Sequence, residues 1–464
     1  MEYILQLEQK QRHLILAALV GFSLFFVILS FVKLGFQGLI LCAGLLFITI
    51  LTPLLLTRPK LFLFLWLLLL PFGEFIYVLK VNIAGMNPIS LAIFVLSIPF
   101  ALVLFYKEIG NCIKSLPFLF FIIVFQLIIF FHLFRNDVSF FNVMQQIKSL
   151  FSLIFIICLT HIFLIKNKPD IIFKWINIVV ITNSIMAILQ KITGIGVVFM
   201  GGVPRVQGIT GHPNSCGFLI NIYLTFALYM FFNAKTKKSR VLWGINLLIN
   251  IVALILTISK TSFFIFALFI LITFLHLPLK YKLRSLIYTS IGCIIFILSD
   301  YILNMNIINS VLVRFSDVST YSWRVHIWNL LLNNMDFHSY LFGHGIASSS
   351  RYIMQVSPSD YPQAHNCYIQ IIYEYGIIGL IYIGSFLFVL IKSAVNYFSA
   401  KDIAYKITCM VPFFISMIFL IEMYTDGALF VKVASYYAWV LITIFYLKMN
   451  SDKQNLSDRK LVNN

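Results

Sequence analysis

Residues 149–190 read SLFSLIFIICLTHIFLIKNKPDIIFKWINIVVITNSIMAILQ: two apolar runs, 149–165 and 171–190, on either side of KNKPD. Each run is close to the roughly 20 residues a helix needs to cross about 30 Å of hydrocarbon. A spanning strand would need only about 10 residues and would alternate apolar with polar side chains. Neither run alternates. The pattern is apolar helix, basic break, apolar helix.

The rest of the chain repeats it. The protein has 464 residues, 61% of them hydrophobic and 11% charged, with 48 Phe and a mean hydropathy of +0.96. An ordinary water-soluble domain is excluded. Apolar windows fall near 14–32, 37–56, 61–79, 88–106, 116–134, 149–165, 171–190, 216–232, 241–258, 261–279, 285–300, 366–391, 407–424 and 430–447. The expected fold is an all-α polytopic membrane protein of about 14 transmembrane helices (12–14) with one long loop. The first run is too long for a signal-peptide core and lacks a small-x-small cleavage site, so it reads as a span.

Thirty-four Lys and Arg against 16 Asp and Glu give a formal charge of +18. In a soluble chain that balance would suggest nucleic acid; here it reads as orientation and attraction to anionic lipid. With the N-terminus inside, the breaks on that side hold 23 of the 34 basic residues. The positive-inside bias therefore expects both termini to be cytoplasmic. The seven Cys lie mostly in apolar windows, with no CxxC and no metal-like spacing against His, and read as small hydrophobes.

Four regions follow: N-terminal helices over 1–190, helices with a first outer loop over 191–300, a long outer loop over 301–365, and C-terminal helices with a cytoplasmic tail over 366–464. The first loop, 191–215, is Gly-rich and ends in Pro-Asn. In the second, YSWRVHIWNLLLNNM (321–335) carries apolar residues at helical spacing and reads as an amphipathic helix on or near the outer membrane surface.

Cations and imidazoles gather in the outward breaks: Arg205 and His212, Lys260, Arg314, Arg324, His326, His338, His344, Arg351 and His365, with Asn366 beside the last. Carboxylates are scarcer there. Such a set suits an anionic, phosphate-bearing ligand, because guanidinium forks match phosphate oxygens and ammonium adds a point charge. No His pair has zinc-like spacing, and GxSxG is absent. His365, read as the first residue of a helix, sits at the positive end of the macrodipole, where the uncharged ring is favoured and can act as a base. The alternative is an interfacial cap. Solvated loop charge is the alternative for each Arg. Lys260, between two spans with almost no loop, needs an anion or a route to water. Glu374 lies nine residues past His365, on the opposite helix face, and does not serve as its partner. Asn366 reads as a cap or orienter.

Several segments together resemble the O-antigen ligase and Wzy-type polymerase superfamily: RVQGITGHPNSCGFLI, ISKTSFFIF, SWRVHIWNLLLNNMDFHSYLFGHG and AHNCYIQIIYEYGIIGL, spread over about residues 200–390. The resemblance implies a GT-C-like, cofactor-free and metal-free glycosyltransferase of the bacterial inner membrane. Such an enzyme moves a glycan from an undecaprenyl-diphosphate carrier to an acceptor hydroxyl. It implies His365 and Arg324 as catalytic residues and Arg205 and Lys260 as diphosphate ligands; Arg314 and Asn366, close to these in sequence, are added as candidate diphosphate or substrate ligands. Arg314 matches no motif position well, and Lys260 stands where the family has Arg, keeping charge but losing the fork. Its implied partners are lipid-linked oligosaccharides, the bilayer and a chain-length regulator, with no nucleic acid. Polymerase is the favoured activity; ligase and lipid-linked-sugar transporter are the alternatives.

Overall fold

The computed structural model describes residues 63, 66–67, 108–132, 140–200, 202–276, 300–301, 306–317, 319–357, 363–425 and 432–463. The windows expected at 14–32, 37–56, 88–106 and most of 61–79 and 285–300 lie outside them. In chain order the described helices are α1 (Phe118–Phe131), α2 (Phe140–Lys166), α3 (Asp170–Thr193), α4 (Pro213–Phe232), α5 (Lys237–Leu256), α6 (Lys260–His276), α7 (Ile307–Ser316), α8 (Ser319–Asn333), α9 (Phe337–Phe342), α10 (Ser348–Val356), α11 (Cys367–Tyr375), α12 (Ile381–Ser399), α13 (Ile403–Thr425) and α14 (Lys432–Asn463). A two-stranded antiparallel hairpin, β1 (Val198–Met200) and β2 (Val203–Arg205), pairs Val198 with Arg205.

Contacts divide the chain into two units, residues 1–114 with 155–176, and residues 115–154 with 177–464. In the first, Trp66 lies 5.8 Å from Phe155 and the Cys112 thiol 3.5 Å from His161 Nδ1.

The second unit contains the loops. Its core is an aromatic seam. Phe386 of α12 stacks on Phe419 of α13 at 4.2 Å and meets Trp439 of α14 at 4.5 Å. Phe118 of α1 stacks on Trp439 at 5.1 Å, and Phe218 of α4 meets Phe419 edge-on at 5.1 Å. Each such pair adds about 0.5–1.5 kcal/mol beyond area burial, a useful supplement where lipid outside is as apolar as the packed interior. The opposite face of α12 exposes Leu387, Ile391 and Val395, a stripe at helical spacing suited to lipid contact.

Helix ends follow local chemistry. His212 caps α4, accepting at Nδ1 from the Asn214 N–H, with Pro213 in the first turn where its missing donor costs nothing. Thr236 caps α5 through the Ser239 N–H. Asp300 caps α7, accepting from the N–H groups of Ile307 and Ile308. Among the described residues, five helical segments are long and apolar enough to cross a membrane: α3, α4, α5, Ile377–Ser399 and α13. The chain is a multi-pass, mostly α-helical membrane protein.

Two expectations change. The window 366–391 is not one span: α11 stops at Tyr375, and a 3₁₀ turn (Ile377–Leu380) leads into α12. The break sits at Gly376, with φ +73°, a conformation that costs glycine little. Gly343, at φ +70°, packs against it. A Cβ on Gly343 would collide with the Glu374 carbonyl, and one on Gly376 with that of Leu341. The His344 and Gly345 N–H groups donate to the Tyr373 and Glu374 carbonyls at 2.8 and 2.9 Å. The glycine turns thus clasp α9 to α11.

The second change concerns α8. Its apolar stripe is buried inside the loop rather than laid on a membrane: Ile327 and Leu331 pack with Met335, Ile353, Ala364 and Tyr373. The loop brings its own small core, and that core uses the stripe. Glu374, buried, accepts from the Ser349 hydroxyl and from Gln370 Nε2 at 3.1 Å, and so serves the first turn of α10. Burial raises its carboxyl above the ordinary carboxylate value, and the Ser349 and Gln370 bonds oppose that rise.

Candidate functional site

Three helix C-termini each receive a cationic side chain. Arg205, at the end of β2, donates from Nε to the carbonyl of Thr257, the cap residue of α5, at 2.8 Å. Lys260 donates from Nζ to the carbonyl of Asp317, the cap of α7, at 2.6 Å. Arg324 donates from Nη1 to the carbonyl of Thr425, the last residue of α13, at 2.5 Å. The final carbonyls of a helix lack internal donors and carry the negative end of its dipole, so a cation satisfies both needs.

Lys260, Arg314 and Arg324 form one electrostatic group. Arg314 pairs with the Asp317 carboxylate at 3.0 Å. Lys260 is the first residue of α6, just ahead of the apolar window that starts at Thr261. Burial pulls its ammonium below the ordinary lysine value; Arg314 and Arg324 add to that shift, and Asp317 opposes it. Two guanidiniums and one carboxylate therefore act on one ammonium, leaving excess positive charge. An ammonium has three donors; the single bond to Asp317 leaves Lys260 able to bind an anion as well.

α8 connects this group to His365. Trp323 sets its ring against the His365 imidazole, centroids 6.2 Å apart and rings inclined at 65°. Arg324 is the next residue. Trp328, one turn on, donates from Nε1 to the Ala364 carbonyl at 2.7 Å and meets the Tyr424 ring at 5.7 Å. The Arg-x-x-x-Trp spacing therefore grips two segments from one helix: Tyr424 and Thr425 at the end of α13, and Ala364 just before His365.

His365 is not the first residue of its helix. It stands at φ +50° ahead of the cap, and Asn366 is the cap: its Oδ1 accepts from the N–H groups of Tyr368 and Ile369 at 3.0 and 3.2 Å, with the residue 2% exposed. The left-handed backbone, uncommon for a residue with a side chain, turns the chain sharply at this point. His365 remains half-buried.

Lys260, Arg314, Arg324 and His365 are thus linked through α8 and Asp317. Arg205 and Asn366 hold protein groups: Arg205, 3% exposed, also donates from Nη2 to Asn214 Oδ1 at 2.6 Å. Arg351, on α10, acts on Glu374. Sequence reasoning missed Trp323 as the neighbour of His365 and Asp317 as the shared partner of Lys260 and Arg314; the available signal was the tryptophan adjoining Arg324 and a carboxylate three residues after Arg314. Among the described residues, no group of three His, Cys, Asp or Glu is placed to hold a metal ion.

A search of curated proteins returns no significant match. The family model described as O-antigen ligase (Wzy_C) matches residues 245–384, a stretch that contains Lys260, Arg314, Arg324, His365 and Asn366 but not Arg205. Over that stretch, under a third of the chain, the sequence is similar to the O-antigen ligase and Wzy-type superfamily.

Proposed function

We propose that the protein polymerises undecaprenyl-diphosphate-linked oligosaccharide repeat units into a surface polysaccharide at the outer face of the bacterial cytoplasmic membrane, with both termini cytoplasmic. The observation that carries this reading is the gathering of Arg314, Arg324 and Asp317 about Lys260, with His365 against Trp323, the residue before Arg324. Three cations and an imidazole at or beside helix ends suit a ligand with an anionic head.

In the proposed reaction His365 accepts the proton of the acceptor hydroxyl as that oxygen attacks the anomeric carbon of the donor sugar. The bond from that carbon to the diphosphate oxygen breaks, and undecaprenyl diphosphate leaves with the electron pair. Lys260, Arg314 and Arg324 stabilise the charge that develops on it. The chain's own cations supply this stabilisation, so the scheme calls for no metal. Asn366 acts indirectly, by starting α11 immediately after His365. A chain-length regulator is the partner that such an activity would use.

The family description favours a second reading, transfer of the finished glycan to lipid A core by a ligase. Purified protein in proteoliposomes, supplied only with lipid-linked repeat units, tests both. A ladder of products supports the polymerase, and product formed only after lipid A core is added supports the ligase. Flipping without a new glycosidic bond would replace both with a transporter. His365→Ala should lose about 10²–10⁴-fold in turnover, the usual contribution of a general base, with normal membrane insertion. Full activity in that variant would remove His365 from the scheme.

A further inference from the structure

Gln190, in the last turn of α3, is 7% exposed, and its carboxamide stands in for a strand. Oε1 accepts from the N–H groups of Gln207 and Gly208 at 3.0 and 2.9 Å, and Nε2 donates to the Gly208 carbonyl at 3.0 Å. Asn183 precedes it on α3 by seven residues, about two turns, and so shares its face. Its Oδ1 accepts from the Ile209 N–H at 2.9 Å. A Cβ on Gly208 would strike that same Asn183 carboxamide. Two buried side chains of α3 thus fix the backbone of residues 207–209, which Val206 alone separates from Arg205.

Arg205 transmits the placement. Its Nε holds the Thr257 carbonyl and its Nη2 holds Asn214 at the start of α4. The Val206 N–H adds a 3.4 Å bond to the Leu256 carbonyl. Only Ile258, at φ +48°, and Ser259 separate Thr257 from Lys260, so the turn has little slack. A shift of the Thr257 carbonyl is carried into Lys260 and its bond to Asp317.

These bonds also argue about what Arg205 does not do. A diphosphate drawing on its Nε or Nη2 would have to displace a bond to a helix end or to the half-buried Asn214 amide. Lys260 and Arg314 are each partly exposed.

We propose that Gln190 and Arg205 are positioning residues that set Lys260 in place for a diphosphate-class anion, and that Arg205 is not itself a ligand of that anion. This rests on reading the Lys260, Arg314 and Arg324 group as a phosphate site.

The test uses the full chain in lipid nanodiscs, without lipid-linked substrate. Acylation of Lys260 by an N-hydroxysuccinimide ester is followed by peptide mass spectrometry, with Lys448 as the internal reference. Arg205→Gln and Gln190→Ala should each speed Lys260 acylation by about threefold or more, the equivalent of loosening one neutral hydrogen bond, and leave Lys448 unchanged. Unchanged Lys260 acylation in well-folded variants overturns the proposal. Should Arg205→Gln fail to fold, Gln190→Ala and Asn214→Ala give the same readout from either side of Arg205.

A second arm measures inorganic pyrophosphate binding by calorimetry. Added to Lys260→Gln, the Arg205→Gln change should weaken binding by less than about twofold; a further loss of about tenfold would make Arg205 a ligand and overturn the proposal. Absence of pyrophosphate binding to the wild-type protein would instead sink the phosphate reading, while the acylation result would still judge the link from Arg205 to Lys260.

Discussion

Arg324 and Trp328, one turn apart on α8, each donate one hydrogen bond to a backbone carbonyl of a different segment: Thr425 at 2.5 Å and Ala364 at 2.7 Å. α8 is thereby the common ruler for the cations and for His365.

Trp328→Phe keeps an aromatic ring and deletes the indole donor, leaving the Ala364 carbonyl without that bond. It should destabilise the loop by about 1–3 kcal/mol. Because Ala364 adjoins His365, turnover should fall more than donor KM rises. Thermal unfolding in detergent, together with a KM and kcat comparison, checks this; a pure KM effect would contradict the role given to α8.

Lys260 gives the donor affinity a pH limit of determinable sign. The ammonium is a cation below its pKa and neutral above it, and burial together with Arg314 lowers that pKa. Donor KM should therefore rise on going alkaline, at a lower pH than an ordinary lysine would impose. Lys260→Arg should remove this limb, since guanidinium stays charged. Initial rates between about pH 7 and 10 with both proteins would show it, and identical profiles would exclude Lys260 from the site.

Asn366→Ala should cost about 0.5–2 kcal/mol, the usual value of a helix cap. Asn366→Ser should restore most of that loss, and donor KM should stay near wild type in both. Serine that restores stability while KM remains poor would mean that the Asn366 carboxamide contacts substrate.

Gly343→Ala and Gly376→Ala should each abolish folded protein or activity, since the new methyl meets backbone on the facing turn and φ is positive at both positions. Gly244→Ala is the control. That glycine lies within α5, with Phe231 the nearest atom at 3.7 Å, and the change should be neutral or stabilising by up to about 1 kcal/mol. Yield and size-exclusion profile distinguish the outcomes.

The long helices were readable because hydropathy is a local property. The window 171–190 lies inside α3, 216–232 inside α4 and 407–424 inside α13. The break at Gly376 was not readable, because the cause of its backbone turn is Gly343, 33 positions earlier, and the flanking Tyr-Gly-Ile-Ile is as apolar as any span. The period of α8 was correct while its neighbour was not: a 3.6-residue stripe states that a face is buried and is silent about whether lipid or protein covers it. For Arg205 the residue type announced a charge, but its destination lay at Thr257, more than fifty positions on. Asn366 was legible as a cap since the chemistry of a helix start is confined to a few residues.

The bonds from Lys260 and Arg324 to helix ends have a consequence for the cost of catching a ligand. A lysine or arginine side chain carries about 2 kcal/mol of rotamer entropy, much of which is surrendered when an anion immobilises it. Here one atom of each side chain is already moored. The folding of α7 and α13 has met that loss in advance, so a larger share of each electrostatic contact is left to appear as affinity.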